Sequence, residues 1–141
     1  MARVILEPRE DRAVFVLPLT IRPEHIDENG HVNNVVYVGW LQEVGTAHWA
    51  ANFETDQRAP WSWVALRHEI DYFRPIRPDA AGVRAVTWVG DPQGPRFKRY
   101  VRIEDGEGNL CAQGVTDWCL VDATTLRPHR IPPEMLAPFE H

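Results

Sequence analysis

The sequence offers little that would form a disulfide, a metal site or a membrane span. Its only two cysteines, Cys111 and Cys119, lie eight residues apart in what reads as one strand, so their Cα atoms would be beyond bridging distance. The six histidines are scattered and no CxxC pair occurs, so we expect neither a metal ion nor a cofactor. No segment approaches the roughly 18 unbroken apolar residues of a membrane span, and we expect no association with a membrane.

Basic side chains and serine are also scarce. The chain has 15 Lys and Arg against 20 Asp and Glu, a formal net charge of −5, which removes the long-range attraction behind most non-specific binding to nucleic acid. Acidic residues at positions 7, 10 and 11 stand where a secretion signal would be apolar, so we expect a soluble cytoplasmic protein. The one serine, Ser62, is not part of a G-x-S-x-G elbow, which argues against a Ser-His-Asp hydrolase.

Apolar and aromatic residues, by contrast, are abundant enough for a folded core. Of the 141 residues, 44% are hydrophobic and 10% are aromatic, and Pro and Gly fall between short periodic segments instead of forming a linker. No repeat or low-complexity run divides the chain. We therefore predict a single domain over residues 1–141.

One long helix is the clearest periodic element. Between Asn33 and about Phe53, apolar residues recur at steps of three and four, and Asn33 or Asn34 is a plausible N-cap. Gly39 and Gly45 each weaken this helix by about 1 kcal/mol relative to Ala, so packing must compensate. We expect another part of the backbone to approach the helix closely at these glycines.

The other segments read as strands and turns. Strands are predicted at residues 12–20, 64–73, 82–90, 96–104 and 110–121. The last three are separated by turn signals and predict an antiparallel meander. In the second strand, one half-buried face is predicted to hold Val64, Leu66, Ile70 and Tyr72.

These elements predict an α+β architecture, an antiparallel sheet of about five strands with one long helix on one face. The apolar strand surface exceeds what a single helix can cover. We therefore expect a homodimer at least.

The segment most capable of chemistry runs from His25 to Asn34, directly before the helix. It places the Asp27 carboxylate, Gly30 and the His31 imidazole beside a helix N-terminus, where free N–H groups and the helix dipole stabilise a developing oxyanion. Asp27 could activate water or attack a carbonyl itself, and His31 could orient a substrate or carry a proton. Taken alone, these residues leave a second interpretation open, because such residues before a helix are common as caps and turns without chemistry.

The same segment carries two known patterns. From His25 to Tyr37 it reads HxDxxxHVNNxxY, and from Asp27 to Trp40 it reads DxNxHVNNxxYxGW. The first pattern resembles the long-chain acyl-CoA thioesterases of the 4-hydroxybenzoyl-CoA thioesterase-like family, and the second is similar to plant acyl-carrier-protein thioesterases. Residues 70–75 (IDYFRP) and the RP and IP pairs near the end also resemble that family, so the likeness covers roughly residues 13–135.

The resemblance implies a hotdog fold, in which the sheet wraps around the long helix, and a dimer or tetramer of such domains. It also implies roles for the loop residues. The aspartate of the family's loop is a nucleophile or general base and corresponds to Asp27, while Asn29 and His31 would position water or substrate. The remaining substrate contacts implied by the resemblance fall on Gly30, Asn33, Asn34, Tyr37 and Asp71.

A basic strand follows in residues 96–102, which contain no acid. The strand period predicts Arg96, Lys98 and Arg102 on one face, and Lys98 is the only lysine in the chain. One interpretation is a solvated strand face. The other is that Arg96, Lys98 and Arg99 bind the phosphates of coenzyme A, as the comparable region does in the family that this chain resembles.

The function expected from the resemblance is hydrolysis of acyl-CoA thioesters to free acid and coenzyme A. Two alternatives stay open: an acyl carrier protein as the donor, and a non-catalytic acyl-CoA-binding protein of the same fold. A hydratase is disfavoured, because such enzymes resemble D-x-N-P-x-H, whereas His31 follows Asp27 by four residues and Gly30 replaces the proline. The expected assembly is a homodimer or homotetramer.

Overall fold

The computed structural model describes residues 4–141, where five strands and one long helix form most of the regular structure. The strands are β1 (Phe15–Pro18), β2 (Trp61–Tyr72), β3 (Arg84–Val89), β4 (Arg96–Glu104) and β5 (Leu110–Asp122). The helices are α1 (Asn34–Asn52), α2 (Thr55–Arg58) and α3 (Pro133–Leu136), with 3-10 turns at Pro23–His25 and Ala137–Phe139.

All five strands join one antiparallel sheet in the order β1-β3-β4-β5-β2. Strands β3, β4 and β5 form the predicted meander, and α1 packs on one face of the sheet, where Leu41 meets the backbone of β5 at Gly114. The predicted α+β architecture is therefore confirmed. Strand β2 pairs with β5 and lies at one edge of the sheet formed by the described residues.

The core between α1 and the sheet divides into two clusters. Tyr37, Trp40 and Leu41 belong to the cluster at the beginning of α1, and Trp49 belongs to the cluster near its end, together with Phe139 from the last turn. Tyr37, Trp40 and Leu41 follow the helical period, so the sequence pattern identified the buried face in the first half of α1, whereas the buried His48 and Trp49 of the second half were not among the predicted positions.

The start of the helix follows the prediction closely. Asn33 is the N-cap, and its side-chain Oδ1 accepts a hydrogen bond from the N–H of Val35 at 3.0 Å. A Cβ on Gly45 would lie 3.3 Å from Nε of Arg99, so this glycine does allow a close approach, although by a side chain and not by backbone. A Cβ on Gly39 would have no heavy atom within 4 Å, so the expectation of close packing at Gly39 is wrong for the single chain.

A β-bulge in β2 overturns the predicted alternation of that strand. The register against β5 shifts between Ala65 and Arg67, which places Leu66 out of the regular pairing. Val64 and Leu66 are therefore 42% and 52% exposed on the outer side, whereas Ile70 belongs to the helix-facing core. The four apolar residues were predicted to share one face, but one extra residue in a strand transfers all that follow it to the opposite face.

Several boundaries differ from the sequence prediction. Strand β1 is shorter than residues 12–20, and β2 begins at Trp61 instead of residue 64, because the predicted loop contains the short helix α2 and then enters the sheet directly. Both cysteines lie in β5 as free buried thiols. None of the helices within the described residues is long and apolar enough to cross a membrane.

Candidate active site

The loop before α1 closes on itself as a small hairpin. Ile26 and Val32 form an antiparallel bridge, the N–H of Asp27 donates to the carbonyl oxygen of His31 at 2.9 Å, and the N–H of Gly30 donates to the carbonyl oxygen of Asp27 at 3.0 Å. Gly30 has φ of 77°, in the left-handed region that favours glycine. The turn therefore explains the glycine, and it holds residues 26–32 in one rigid arrangement.

The Asp27 carboxylate is oriented by the backbone of its own turn. Its Oδ1 accepts hydrogen bonds from the N–H of Asn29 at 2.9 Å and from the N–H of His31 at 3.4 Å. Nothing in the described part of the chain donates a hydrogen bond to Oδ2. The half-buried carboxylate thus has one oxygen fixed by the loop and one oxygen available to a water molecule or a substrate carbon.

The N–H groups of Gly30 and His31 both have partners within the loop. The N–H of Gly30 is already used inside the turn, and that of His31 makes the long contact to Asp27. The N–H of Asn34 is better placed, because Asn34 is the first residue of α1 and its N–H has no partner within the helix. Asn29 and Asn34 are exposed and His31 is half-buried, so all three side chains are accessible to solvent.

Asn33 and Tyr37 hold the helix start in place. The N–H of Asn33 donates to the carbonyl oxygen of His25 at 2.8 Å while its side chain caps α1. Tyr37 is buried, with its ring 5.1 Å from that of Tyr72 and 5.3 Å from that of Trp40. Burial raises the pKa of Tyr37 to about 12. Asn33 thus joins the loop to α1, and Tyr37 packs in the core at the start of the helix.

Asp71 is not brought to the loop. In β2 it precedes Tyr72, which faces α1, so Asp71 points to the opposite face of the sheet. There its Oδ2 accepts a hydrogen bond from Nε2 of Gln113 at 3.1 Å. Within one chain, the structure therefore separates Asp71 from Asp27 by the thickness of the sheet.

The basic residues of β4 also divide between the two faces. Arg96 and Lys98 are exposed on the outer face, where Nζ of Lys98 lies 3.1 Å from a carboxylate oxygen of Asp117. Arg99 faces α1 and is only 3% exposed, so it does not form one group with the other two. The grouping failed because alternation along a strand separates neighbouring residues.

A cavity that the sequence did not predict lies between the second half of α1 and the beginning of β2. Its volume is about 610 Å³, and six aromatic side chains line it: Trp49, Trp61, Trp63, Phe97, Trp118 and Phe139. Arg99, from the helix-facing side of β4, also lines it. The sequence signal that could have revealed this cavity is Arg99, because it lies between Phe97 and Val101 on the apolar face of β4.

The guanidinium of Arg99 lies over the rings of Phe97 and Phe139, at 5.8 and 5.9 Å from their centroids, and makes no ion pair with a described residue. Its Nη1 donates to Nδ1 of His48 at 2.9 Å and to Oγ1 of Thr87 at 3.1 Å. Since an arginine only donates, Nδ1 of His48 is the acceptor and its proton is on Nε2. Burial lowers the pKa of Arg99 to about 9, and burial together with the nearby Arg99 charge lowers the pKa of His48 to about 3.

Metal binding has no support in the described structure. Within residues 4–141, no three His, Cys, Asp or Glu side chains lie close enough together to hold a metal ion. The chemistry available at the loop is that of a carboxylate beside the N-terminus of a long helix.

Comparisons with known proteins agree with this arrangement. The sequence model of the thioesterase-like superfamily matches residues 21–139. No curated protein matches the chain.

Solved structures share the fold at low sequence identity. The structure of a predicted thioesterase from Bacillus stearothermophilus has a TM-score of 0.77 and 22% identity, covering 90% of this chain and 94% of that one. A thioesterase from Thermus thermophilus, complexed with coenzyme A and Zn, has a TM-score of 0.77 and 19% identity, with coverage of 93% and 94%. DHNA-CoA thioesterase from Staphylococcus aureus has a TM-score of 0.74 and 18% identity, with coverage of 83% and 80%. These likenesses confirm the hotdog fold.

Proposed function

Because the chain belongs to the thioesterase-like superfamily, we propose that it hydrolyses acyl-CoA thioesters to a free acid and coenzyme A, with Asp27 as the catalytic carboxylate. The observation that carries the proposal is the Asp27 side chain itself. One of its oxygens is fixed by two backbone N–H groups, and the other is available, directly before the first residue of α1.

The reaction uses the negative charge of the Asp27 carboxylate and the positive N-terminal end of α1. As a general base, Asp27 takes a proton from water while the water oxygen attacks the thioester carbon; as a nucleophile, its oxygen attacks that carbon and water then cleaves the anhydride. In either case the carbonyl oxygen gains negative charge, which the N–H of Asn34 and the positive end of α1 stabilise. Collapse of this tetrahedral species breaks the C–S bond, which in the nucleophilic route precedes the attack of water on the anhydride, and the coenzyme A thiolate takes up a proton released by the water. Asn29 and His31 orient the water and the substrate.

A homodimer through β2 completes the site. Strand β2 lies at the edge of the described sheet, and the exposed Val64 and Leu66 on its outer face favour a second copy of this chain as its neighbour. A two-fold antiparallel arrangement of the two β2 strands directs the Trp61 end of one towards the Tyr72 end of the other.

This pairing explains how the loop and the cavity can act together. In one chain, the 11 residues from Asn34 to Gly45 place the cavity about 16 Å along α1 from the loop, too far for a small acyl group to bridge. The Tyr72 end of β2 lies at the helix start and the Trp61 end lies at the cavity. In the dimer, the cavity of one protomer therefore adjoins the Asp27 loop of its partner, and each active site takes residues from both chains.

Coenzyme A itself needs a cationic surface for its phosphates. Arg96 and Lys98 are the candidates on the outer face of β4, and Arg99 is excluded by its burial on the other face. The Asp117 carboxylate competes for Lys98, so Arg96 makes the larger contribution.

Release of free thiol from a panel of acyl-CoA thioesters tests the proposal, with short, long, aromatic and hydroxylated acyl groups and Asp27→Asn as the inactive reference. The proposal expects turnover of at least one member that is lost in the variant. Turnover of carrier-protein thioesters alone would show that the acyl donor is an acyl carrier protein and not coenzyme A. Ligand binding without thiol release from either donor would make the protein a non-catalytic binder.

A further inference from the structure

The aromatic cavity contains hydrogen-bond donors that no acceptor satisfies. Arg99 uses Nη1 for His48 and Thr87, and no residue in the described chain accepts a hydrogen bond from its Nε or Nη2. The indole Nε1 of Trp118 and the Nε of Arg58 are both buried without a partner, and both residues line the same cavity. Buried donors are normally paired, so two buried unpaired donors and the unused guanidinium nitrogens of Arg99 around one space indicate an acceptor that the protein alone does not supply.

The positive charge of the cavity also indicates a ligand that accepts hydrogen bonds and carries negative charge. Two arginines line it, Arg58 and Arg99, and no Asp or Glu does. Arg99 makes no ion pair with any described residue, and its neighbour His48 is neutral at physiological pH because burial lowers the pKa of its imidazole to about 3. A buried cation without an anion is costly, and the protein as a whole carries a net charge of −5, so this positive interior is not a consequence of composition.

The position of Arg99 and Trp118 makes their donors convergent. A Cβ on Gly45 would lie 3.3 Å from Nε of Arg99 and 3.8 Å from Cζ2 of Trp118, so both side chains approach α1 at the same residue. The missing side chain at Gly45 leaves that approach open. Nε of Arg99 and the indole ring of Trp118 therefore lie beside the same residue of α1.

We propose that this cavity binds a carboxylate carried by an aromatic acyl group, so that the preferred substrates are thioesters of aromatic dicarboxylic acids. The carboxylate accepts hydrogen bonds from the guanidinium of Arg99 and the indole of Trp118, as a planar acceptor suited to an arginine. The ring packs among Trp49, Trp63 and Phe97, in a space whose volume suits a single ring with its substituents. The substrate class rests on the proposed thioesterase function, whereas the carboxylate site itself is independent of catalysis.

Binding of a simple carboxylate tests the site without any turnover. Benzoate and benzamide have the same shape and differ in charge, and four tryptophans of the cavity report their binding by fluorescence. We expect saturable binding of benzoate at least tenfold tighter than that of benzamide. Arg99→Met should remove that preference, whereas Arg127→Met, which changes an exposed arginine, should keep it. Equal affinities for the two ligands, absence of benzoate binding, or an unchanged preference in Arg99→Met would overturn the proposal.

Folding of the variants can be separated from binding. Replacing an unpaired buried cation by methionine of similar length should leave the unfolding temperature unchanged or higher. Trp118→Phe removes the indole donor together with part of the ring and keeps an aromatic wall, and we expect it to weaken benzoate binding more than benzamide binding. A loss of both ligands in a folded Trp118→Phe variant would contradict the assignment of that donor.

Thioester turnover then separates this inference from the proposed function. With 4-carboxybenzoyl-CoA and 4-methylbenzoyl-CoA as a matched pair, we expect kcat/KM at least tenfold higher for the carboxylated substrate, through KM. Arg99→Met should abolish the preference, so that kcat/KM for the carboxylated substrate falls to or below that for the methyl substrate. Equal turnover of the two substrates by the wild-type protein would overturn the substrate class alone. Selective benzoate binding without hydrolysis of any thioester would overturn the proposed function and leave the carboxylate site standing.

Discussion

The hydroxyl of Tyr72 donates a hydrogen bond to the carbonyl oxygen of Asn34 at 3.0 Å, tying the last residue of β2 to the first residue of α1. The ring of Tyr72 also packs at a right angle to that of Tyr37, one turn into the helix. The start of α1, whose N–H groups face the proposed oxyanion, is therefore positioned by the strand that we propose as the dimer interface.

Removing this hydrogen bond should impair turnover more than folding. We expect Tyr72→Phe to cost about 1 kcal/mol of unfolding free energy and to lower kcat several-fold, because the helix start loses one constraint. Tyr100→Phe is the matched control on another strand. Parallel urea unfolding and thiol-release measurements would check this, and a kcat equal to that of the wild type would contradict a positioning role for Tyr72.

The packing of α1 on β5 gives a prediction about stability. A Cβ on Gly114 would lie 2.7 Å from Cδ1 of Leu41, which is itself fully buried. Gly114→Ala should therefore destabilise the protein by about 1–3 kcal/mol through overpacking. The double variant Gly114→Ala with Leu41→Ala should lose less than the sum of the two single variants, as a double-mutant cycle of unfolding free energies would show. Simple additivity would mean that the two residues are not in contact.

His48 predicts a pH dependence of stability. Its pKa is about 3 in the folded protein and near 6.5 when unfolded, so the unfolded state binds the extra proton between these values. Stability should fall as the pH is lowered from about 6.5 towards 3, by up to about 1.4 kcal/mol per pH unit from this group. Urea unfolding between pH 4.5 and 7 should give a shallower slope for His48→Gln than for the wild type. Identical slopes would show that the imidazole is not buried in its neutral form.

The shared active site predicts complementation between two inactive chains. Thr46→Trp should fill the exposed mouth of the cavity on α1, and Asp27→Asn removes the catalytic carboxylate. A heterodimer of the two variants contains one site with both features intact, so it should regain about half the wild-type rate. Purification of differently tagged, co-expressed chains and a thiol-release assay would measure this. No recovered activity in a confirmed heterodimer would place loop and cavity within one chain.

The sequence predicted the elements that a regular period or a motif determines. The 3.6-residue period of α1, the cap at Asn33 and the meander of β3 to β5 depend on local pattern, and the loop around Asp27 was identified from its motif. The features that the sequence did not predict depend on which face of a strand a single side chain occupies. The bulge at Leu66 shows no signal in a strand of alternating residues, and the burial of Arg99 becomes visible only once β4 has a defined inner face.

The cavity could not be predicted for a related reason. Its walls come from the end of α1, the beginning of β2, the middle of β4 and the last turn, and each aromatic residue by itself resembles an ordinary core residue. Only the packed structure shows that Trp118 and Arg99 leave donors unpaired beside a space of this size.

The central claim is that the Asp27 carboxylate drives thioester hydrolysis, and the most direct measurement is kcat/KM for thiol release by Asp27→Asn beside Glu28→Gln. Both variants neutralise one carboxylate in the same loop, and Glu28 is exposed. We predict a loss of about 1,000-fold or more in Asp27→Asn with an unchanged unfolding temperature, and nearly wild-type kcat/KM in Glu28→Gln. A folded Asp27→Asn variant that retains the wild-type kcat/KM would contradict the account.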